Sequence, residues 1–303
     1  MNKKTRAAAL SVASNTLLIL LKITAGILTG SVSLIAEAVH SSMDLAAAVI
    51  AFFSVRVSDK VPDEEHPFGH GKAENVSGVA EGLLIFIAAG IIIYEAIHRI
   101  IAAARLETVE LGMAIMALSI VVNVLVSRYL VRTAKQTDSL ALEADAKHLS
   151  TDVLTMVGVF VGLALVRITG LNIFDPITAL LVALMIIKAA YDITKKSYGG
   201  LIDNRLPAAE EAAIAEVINE HTGVLVGFHE LRTRKAGSKR FVELHLVMPN
   251  KVNLEEAHEM CDHLENDMKD RLLNVDVNIH VEPCSTDCDA CTVDCKFSYQ
   301  QRQ

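Results

Sequence analysis

Residues 36–44 read Ala-Glu-Ala-Val-His-Ser-Ser-Met-Asp, and residues 144–152 read Ala-Asp-Ala-Lys-His-Leu-Ser-Thr-Asp. Both fit one frame, A-[ED]-A-x-H-x-S-x-D, which sets His40 four residues before Asp44 and His148 four residues before Asp152. On an α-helix that spacing puts each His and Asp on one face, a turn apart. Two such helices side by side present two imidazoles and two carboxylates to one point. Four N/O donors suit a tetrahedral divalent metal, zinc above all. One His–Asp pair alone is equally well explained as a hydrogen bond between packed helices. Two matched pairs, in apolar segments where charge is costly, point to a single metal site inside a membrane.

The elements that must position these pairs are long and apolar. The chain has 303 residues, 52% of them hydrophobic, and the apolar ones are concentrated before residue 200. Six segments, at about 8–30, 33–55, 76–101, 109–131, 144–167 and 173–194, are long enough or nearly so to cross a bilayer as helices. Positive charge falls on one side of them: Lys3, Lys4 and Arg6; Arg56, Lys60 and Lys72; Arg128, Arg132 and Lys135; Lys195, Lys196 and Arg205. The other side carries Arg99, Arg105 and Arg167. This bias predicts a multi-pass cell-membrane protein with both termini in the cytoplasm. Asn15, Lys22, Glu37 and Asp145 sit within spans and are expected to line the bundle interior or a wet cavity. Lys147 either joins them or snorkels to an interface. The start, Met1 to Arg6, runs into a segment too long for a cleavable signal peptide. A net charge of −8 and no basic stripe speak against nucleic acid as a partner.

Three further ligand sets lie outside the spans. The loop after the second span holds Asp63, His66 and His70 among Pro and Gly turns. It reads either as a solvated acidic loop or as an open three-ligand site that captures metal near the cytoplasmic mouth. From Pro207 the composition becomes that of a soluble α+β domain. A helix at 207–221, strands at about 224–234 and 240–248, a helix at about 253–273 and a strand at 275–282 give α-β-β-α-β, a ferredoxin-like order with helices on one face. Period-two alternation puts Val275, Val277, Ile279 and Val281 on one face and His280 and Glu282 on the other, and sets His245 on a mixed face. With His229 and His258 these residues make candidate zinc ligands. Last comes Cys284, Cys288, Cys291 and Cys295, interleaved with aspartates. In a reducing cytosol, thiols so dense favour a soft metal over disulfides, as a flexible chelating tail, with an unmetallated redox-labile tail as the other reading. Cys261, in mid-helix, is expected simply to pack.

The six spans, the paired motifs on spans two and five, the loop signature His66-Pro-Phe-Gly-His70-Gly-Lys72-Ala-Glu74 and the α-β-β-α-β domain together resemble the cation diffusion facilitator family, zinc-transporting type. The resemblance covers about residues 5–283 and implies a homodimeric exporter of divalent transition metals, typically in exchange for protons. It implies that His40, Asp44, His148 and Asp152 form the transport site. It implies a loop site at Asp63, His66 and His70, and metal sites that bridge the dimer at His229, His245, His258, His280 and Glu282. The cysteine tail lies outside the family pattern. The organisation expected is therefore a transmembrane transport domain at 1–206, a cytoplasmic metal-binding and dimerisation domain at 207–283, and a Cys-rich tail at 284–303.

The chemistry expected is that of a carrier. Histidine binds metal only when neutral, so metal loading releases protons and proton loading releases metal. Zn2+ is expected both as cargo and as a regulatory ion in the C-terminal domain, and the same ligands also accept Cd2+, Co2+, Ni2+ and Fe2+. An intramembrane metal hydrolase would need an open coordination position and a general base. No H-E-x-x-H occurs, and four ligands would fill the site. A membrane metal sensor would use the soluble domain and tail but would leave the duplicated site without a purpose.

Overall fold

A computed structural model describes residues 2–29, 32–102, 110–171, 173–221, 224–250 and 252–284. The chain divides into two compact units, one ending at Leu201 and the other beginning at Ile202.

The first unit is a bundle of six helices: α1 (Lys3–Thr29), α2 (Val32–Ser58), α3 (Lys72–Ala102), α4 (Glu110–Thr137), α5 (Leu140–Thr169) and α6 (Phe174–Leu201). Each contains a stretch long and apolar enough to cross a membrane. Leu17, Leu20, Leu28, Ile87, Leu125, Val161, Leu181 and Leu184 point outward, as lipid-facing side chains do.

Helix α5 is the hub, because its small and branched residues serve two cores. Ala141, Leu142, Ala146 and Leu149 pack with Ala7 and Ala8 of α1, Val55 of α2 and Leu130 of α4. On another side, Leu140 and Ala144 pack with Ile85 and Ala89 of α3 and Ile186 and Ala190 of α6. Helices α3 and α6 pack tightly at Gly78 and Gly82, which lie one turn apart on α3. A methyl group there would collide with Ser197 and Thr194 of α6. Small residues at such spacing let helix backbones approach in a membrane.

The helices run beyond the apolar segments at one end of the bundle, for a reason hydropathy cannot see. Glu74, fully buried at the start of α3, accepts from Lys4 Nζ of α1 at 3.0 Å, Ser58 Oγ of α2 at 2.9 Å and Ser139 Oγ, the N-cap of α5, at 2.8 Å. Paired in this way, charged residues extend α1 and α3 where they would otherwise end them.

The second unit is α7 (Ala208–Glu220), β1 (Gly227–Ala236), β2 (Lys239–Met248), α8 (Leu254–Arg271) and β3 (Val275–Pro283). The strand order is β1-β2-β3, with β1 and β2 antiparallel and β2 and β3 parallel. A parallel neighbour needs a crossover, and α8 supplies it. Asn253 and Glu256 start α8 as a reciprocal capping box. Ile214 and Ile218 of α7 and Cys261, Leu264 and Met268 of α8 cover one face of the sheet, meeting Val242, Leu244, Leu246 and Val277. Since strand side chains alternate, His245 and His280 stand on the uncovered face.

Candidate metal centres

The intramembrane site is built by α2 and α5. His148 Nε2 of α5 lies 3.3 Å from Asp44 Oδ1 of α2 and 4.0 Å from Asp152 Oδ2, one turn along α5. All three are buried or nearly so, and their donor atoms lie within 4.8 Å of one another. Bonds of ~2.0–2.1 Å to a tetrahedral zinc place neighbouring donors roughly 3.3 Å apart, so a small contraction would close this set on a metal. His40 stands one turn before Asp44 on α2, and its side chain lies outside the described residues.

The surrounding polar residues orient the backbone of these helices. Asn15 Nδ2 of α1 donates to the Asp44 carbonyl at 3.5 Å, and Lys22 Nζ donates to Ser41 Oγ at 2.6 Å. Both Asn15 and Lys22 are buried, as expected of polar groups within a span. Ser150 turns away from the ligands and meets Ser127 of α4 at 2.8 Å. Asp145 is fully buried one turn before His148, and so is Glu81 of α3. Glu81 Oε1 accepts from Ser77 Oγ at 2.8 Å, whereas Glu81 Oε2 and both Asp145 oxygens have no hydrogen-bond partner among the described residues, and both carboxyl groups lie within electrostatic range of His148. Glu81 was missed in the sequence, although a lone acid in Gly78-Val-Ala-Glu-Gly-Leu-Leu-Ile-Phe86 is itself a signal of an intramembrane polar site.

The loop between α2 and α3 folds back on Asp63. Its Oδ1 accepts from the His66 backbone N–H at 2.7 Å and lies 3.1 Å from His66 Nδ1, while Oδ2 is 3.3 Å from His70 Nε2. Gly69, at φ 81°, supplies the turn that returns His70 to the group. The His66 backbone hydrogen bond, aided by its ring and by His70, holds the Asp63 carboxyl below its usual range against a smaller opposing effect of desolvation. With Asp63 and His66 exposed and His70 mostly buried, these three donors can hold a metal with water in the fourth position.

In the second unit the register places His229 of β1 opposite His245 of β2, and His245 opposite His280 of β3. Glu282, two residues beyond His280, shares that face. Its Oε1 lies 2.8 Å from His245 Nδ1 and 3.7 Å from His280 Nε2, and its Oε2 lies 3.1 Å from His229 Nε2. Glu230 joins the group unannounced by alternation. A bulge between His229 and Arg232, with Glu230 at φ 51°, turns its carboxylate to 3.7 Å from His245 Nε2. His258 stands apart, exposed on α8 beside Asp262 at 3.7 Å. Cys284 is buried, and its N–H pairs with Met248 O at 2.9 Å, continuing the β3 ladder. Cys288, Cys291 and Cys295 lie outside the described residues. Cys261 is buried in the α8 core, where burial raises its thiol pKa, as a packing residue's would be.

The His245 hydrogen bond, then the His229 hydrogen bond, lowers the Glu282 carboxyl below its ordinary 4.5 against the opposing effect of desolvation. A lowered folded value means that Glu282 stabilises the domain above 4.5 and ceases to as pH falls through that lowered value. In chelated protein, Glu282→Gln is therefore expected to speed amide exchange in β3 at neutral pH. The difference from wild type is expected to vanish once both are acidified below the folded value.

With this geometry in view, the comparisons with known proteins are specific. Residues 8–202 match the cation efflux transmembrane domain, and residues 206–284 match the cation efflux protein, cytoplasmic domain. The chain is 36% identical over 263 residues to an uncharacterized transporter, sll1263, of Synechocystis, covering 87% of this chain and 85% of that one. It is 35% identical to the cation-efflux pump FieF of Pectobacterium atrosepticum over 93% of each chain. A solved structure, the metal-bound C-terminal domain of the CzcD transporter from Thermotoga maritima, matches 26% of this chain and 91% of its own at 29% identity and a TM-score of 0.25.

Proposed function

Because the chain belongs to the cation diffusion facilitator family of cation efflux transporters, we propose that it exports Zn2+ from the cytoplasm in exchange for protons, by alternating access through His40, Asp44, His148 and Asp152. The observation that carries this reading is the buried group of Asp44, His148 and Asp152, donors from two helices gathered inside an apolar bundle. Nitrogen and carboxylate donors in near-tetrahedral spacing favour zinc over Mn2+ or Mg2+, which prefer more oxygens. Cd2+, Co2+, Ni2+ and Fe2+ are cargo of the same chemistry.

In this cycle metal enters from the cytoplasmic side, the bundle opens outward, and protons reload the histidines as metal leaves. An imidazolium at His148 would stand between Asp44 and Asp152, and with a second at His40 the two protons would match the two charges of the departing metal. The protein acts as a carrier in the cell membrane rather than as an enzyme, with both termini in the cytoplasm and two copies per transporter. Zn2+ bound by His229, His245, His280 and Glu282 would favour one arrangement of the paired domains and so bias the transport equilibrium.

The test is Zn2+ uptake into proteoliposomes under an imposed pH gradient, with the other divalent metals as competitors. Uptake that follows the gradient supports exchange. Zinc binding without flux would make the protein a sensor. The loop group feeds the bundle in this reading without being the transport site, so Asp63→Ala is expected to raise the zinc concentration for half-maximal uptake by roughly 10-fold, the low end of what loss of a supporting group costs a metal site. The saturated rate would stay close to wild type. A fall in that rate with unchanged half-saturation would remove the loop from the entry path.

A further inference from the structure

Besides the exposed His258, two histidines of the second unit belong neither to the sheet-face group nor to the bundle. His221 closes α7, and His263 lies in the middle of α8 one turn before Asp267. The packing of α7 on α8 brings all three together. His221 Nε2 is 3.4 Å from Asp267 Oδ2, and His263 Nε2 is 3.7 Å from the same oxygen. The two rings meet edge to face with centroids 4.8 Å apart. Their donor atoms lie within 4.8 Å of one another, close to the roughly 3.3 Å spacing of donors around tetrahedral zinc.

The other ring nitrogen of His221 decides what this group wants. Nδ1 sits 2.9 Å from the Val217 carbonyl, which only accepts, so Nδ1 carries the hydrogen. In the neutral ring Nε2 is then a lone pair, and it faces a carboxylate oxygen, another lone pair, at 3.4 Å. Two acceptors so placed repel unless a cation lies between them. A backbone carbonyl on the far nitrogen is also how metal-binding histidines are commonly held. The C-terminal end of α7 favours positive charge through the helix dipole. Among the described residues, Arg271 is a nearby cation, and it is held by Glu220 and by Glu216 at 3.8 Å while acting on Asp267 only through space. His263 is 58% exposed, which leaves a coordination position open to water.

We propose that His221, His263 and Asp267 form a further metal site in the C-terminal unit. It takes one divalent ion of borderline softness, such as Zn2+, completes it with water, and ties the end of α7 to α8. The rival occupant is a proton, which would leave the histidines as plain ion-pair partners of Asp267. The site is read by binding, so its failure is separable from failure of the transport reading.

The experiment uses the full-length protein in detergent, dialysed against Zn2+ at fixed free concentrations, with bound metal counted per chain by mass spectrometry. His263→Gln and Asp267→Asn are each expected to lower the saturated count by one ion. The double variant is expected to lose one ion as well, since both residues hold the same metal. In amide exchange, Zn2+ is expected to slow residues 214–221 in the wild type and in Glu282→Gln, but not in His263→Gln. An unchanged count in both single variants, a loss of two in the double, or zinc protection of α7 that survives His263→Gln would each overturn the site.

Discussion

Asp152→Ala is expected to abolish proton-driven zinc uptake in proteoliposomes while leaving the protein inserted and folded. Asp152 holds one corner of the group around His148, whose Nε2 it approaches at 4.0 Å from the same helix. Loss of a partner outside the ligand shell commonly costs ~10–100-fold in metal affinity, so removal of a ligand itself is expected to exceed roughly 100-fold in uptake. The substitution deletes a carboxylate from a buried, polar cluster and asks nothing of the apolar packing of α5, so folding is not the expected casualty. Uptake near the wild-type level in Asp152→Ala would move the transport site away from α2 and α5. Asp44→Ala is expected to behave alike, because the His148 nitrogen lies 3.3 Å from Asp44.

The second large effect is on stability. Glu74→Ala removes the one carboxylate shared by Lys4, Ser58 and Ser139, and leaves a buried ammonium without its principal partner. Breaking a buried ion pair from one side costs ~3–5 kcal/mol, which is a large part of a membrane bundle's margin. The measurement is unfolding of the purified protein by denaturant. Replacing both partners, as Lys4→Met with Glu74→Leu, is expected to recover much of that loss, because no charge is then stranded. If the double variant is no better than Glu74→Ala, the hydroxyl contacts to Ser58 and Ser139 matter more than the charge pair.

These two sites differ in how readable they were. His148 and Asp152 repeat the spacing of His40 and Asp44, and a helix converts that spacing into a shared face whatever its surroundings. Glu74 carries no such mark. It follows Lys72 at the edge of an apolar segment, where hydropathy alone starts the third span at about 76, and the helix begins at Lys72 because Lys4, 70 positions away, neutralises what would otherwise be a buried charge. In the second unit, alternation placed His280 and Glu282 on one face of β3, and the pairing of β2 with β3 then delivered His245 to them. Glu230 was invisible to the same rule, because a bulge suspends alternation where it occurs.

The sequence by itself determined the six spans, the α-β-β-α-β order of the second unit and the intervals of the His and Asp motifs. All are local or periodic properties, set by the bilayer's thickness and by the 3.6- and 2-residue repeats of helix and strand. Only the tertiary structure decided which helices bring their ligands together, which acids are buried beside His148, and that His221 meets His263 and Asp267. Those contacts join residues 42 to 104 positions apart, and their existence depends on how whole helices pack, which no interval along the chain encodes.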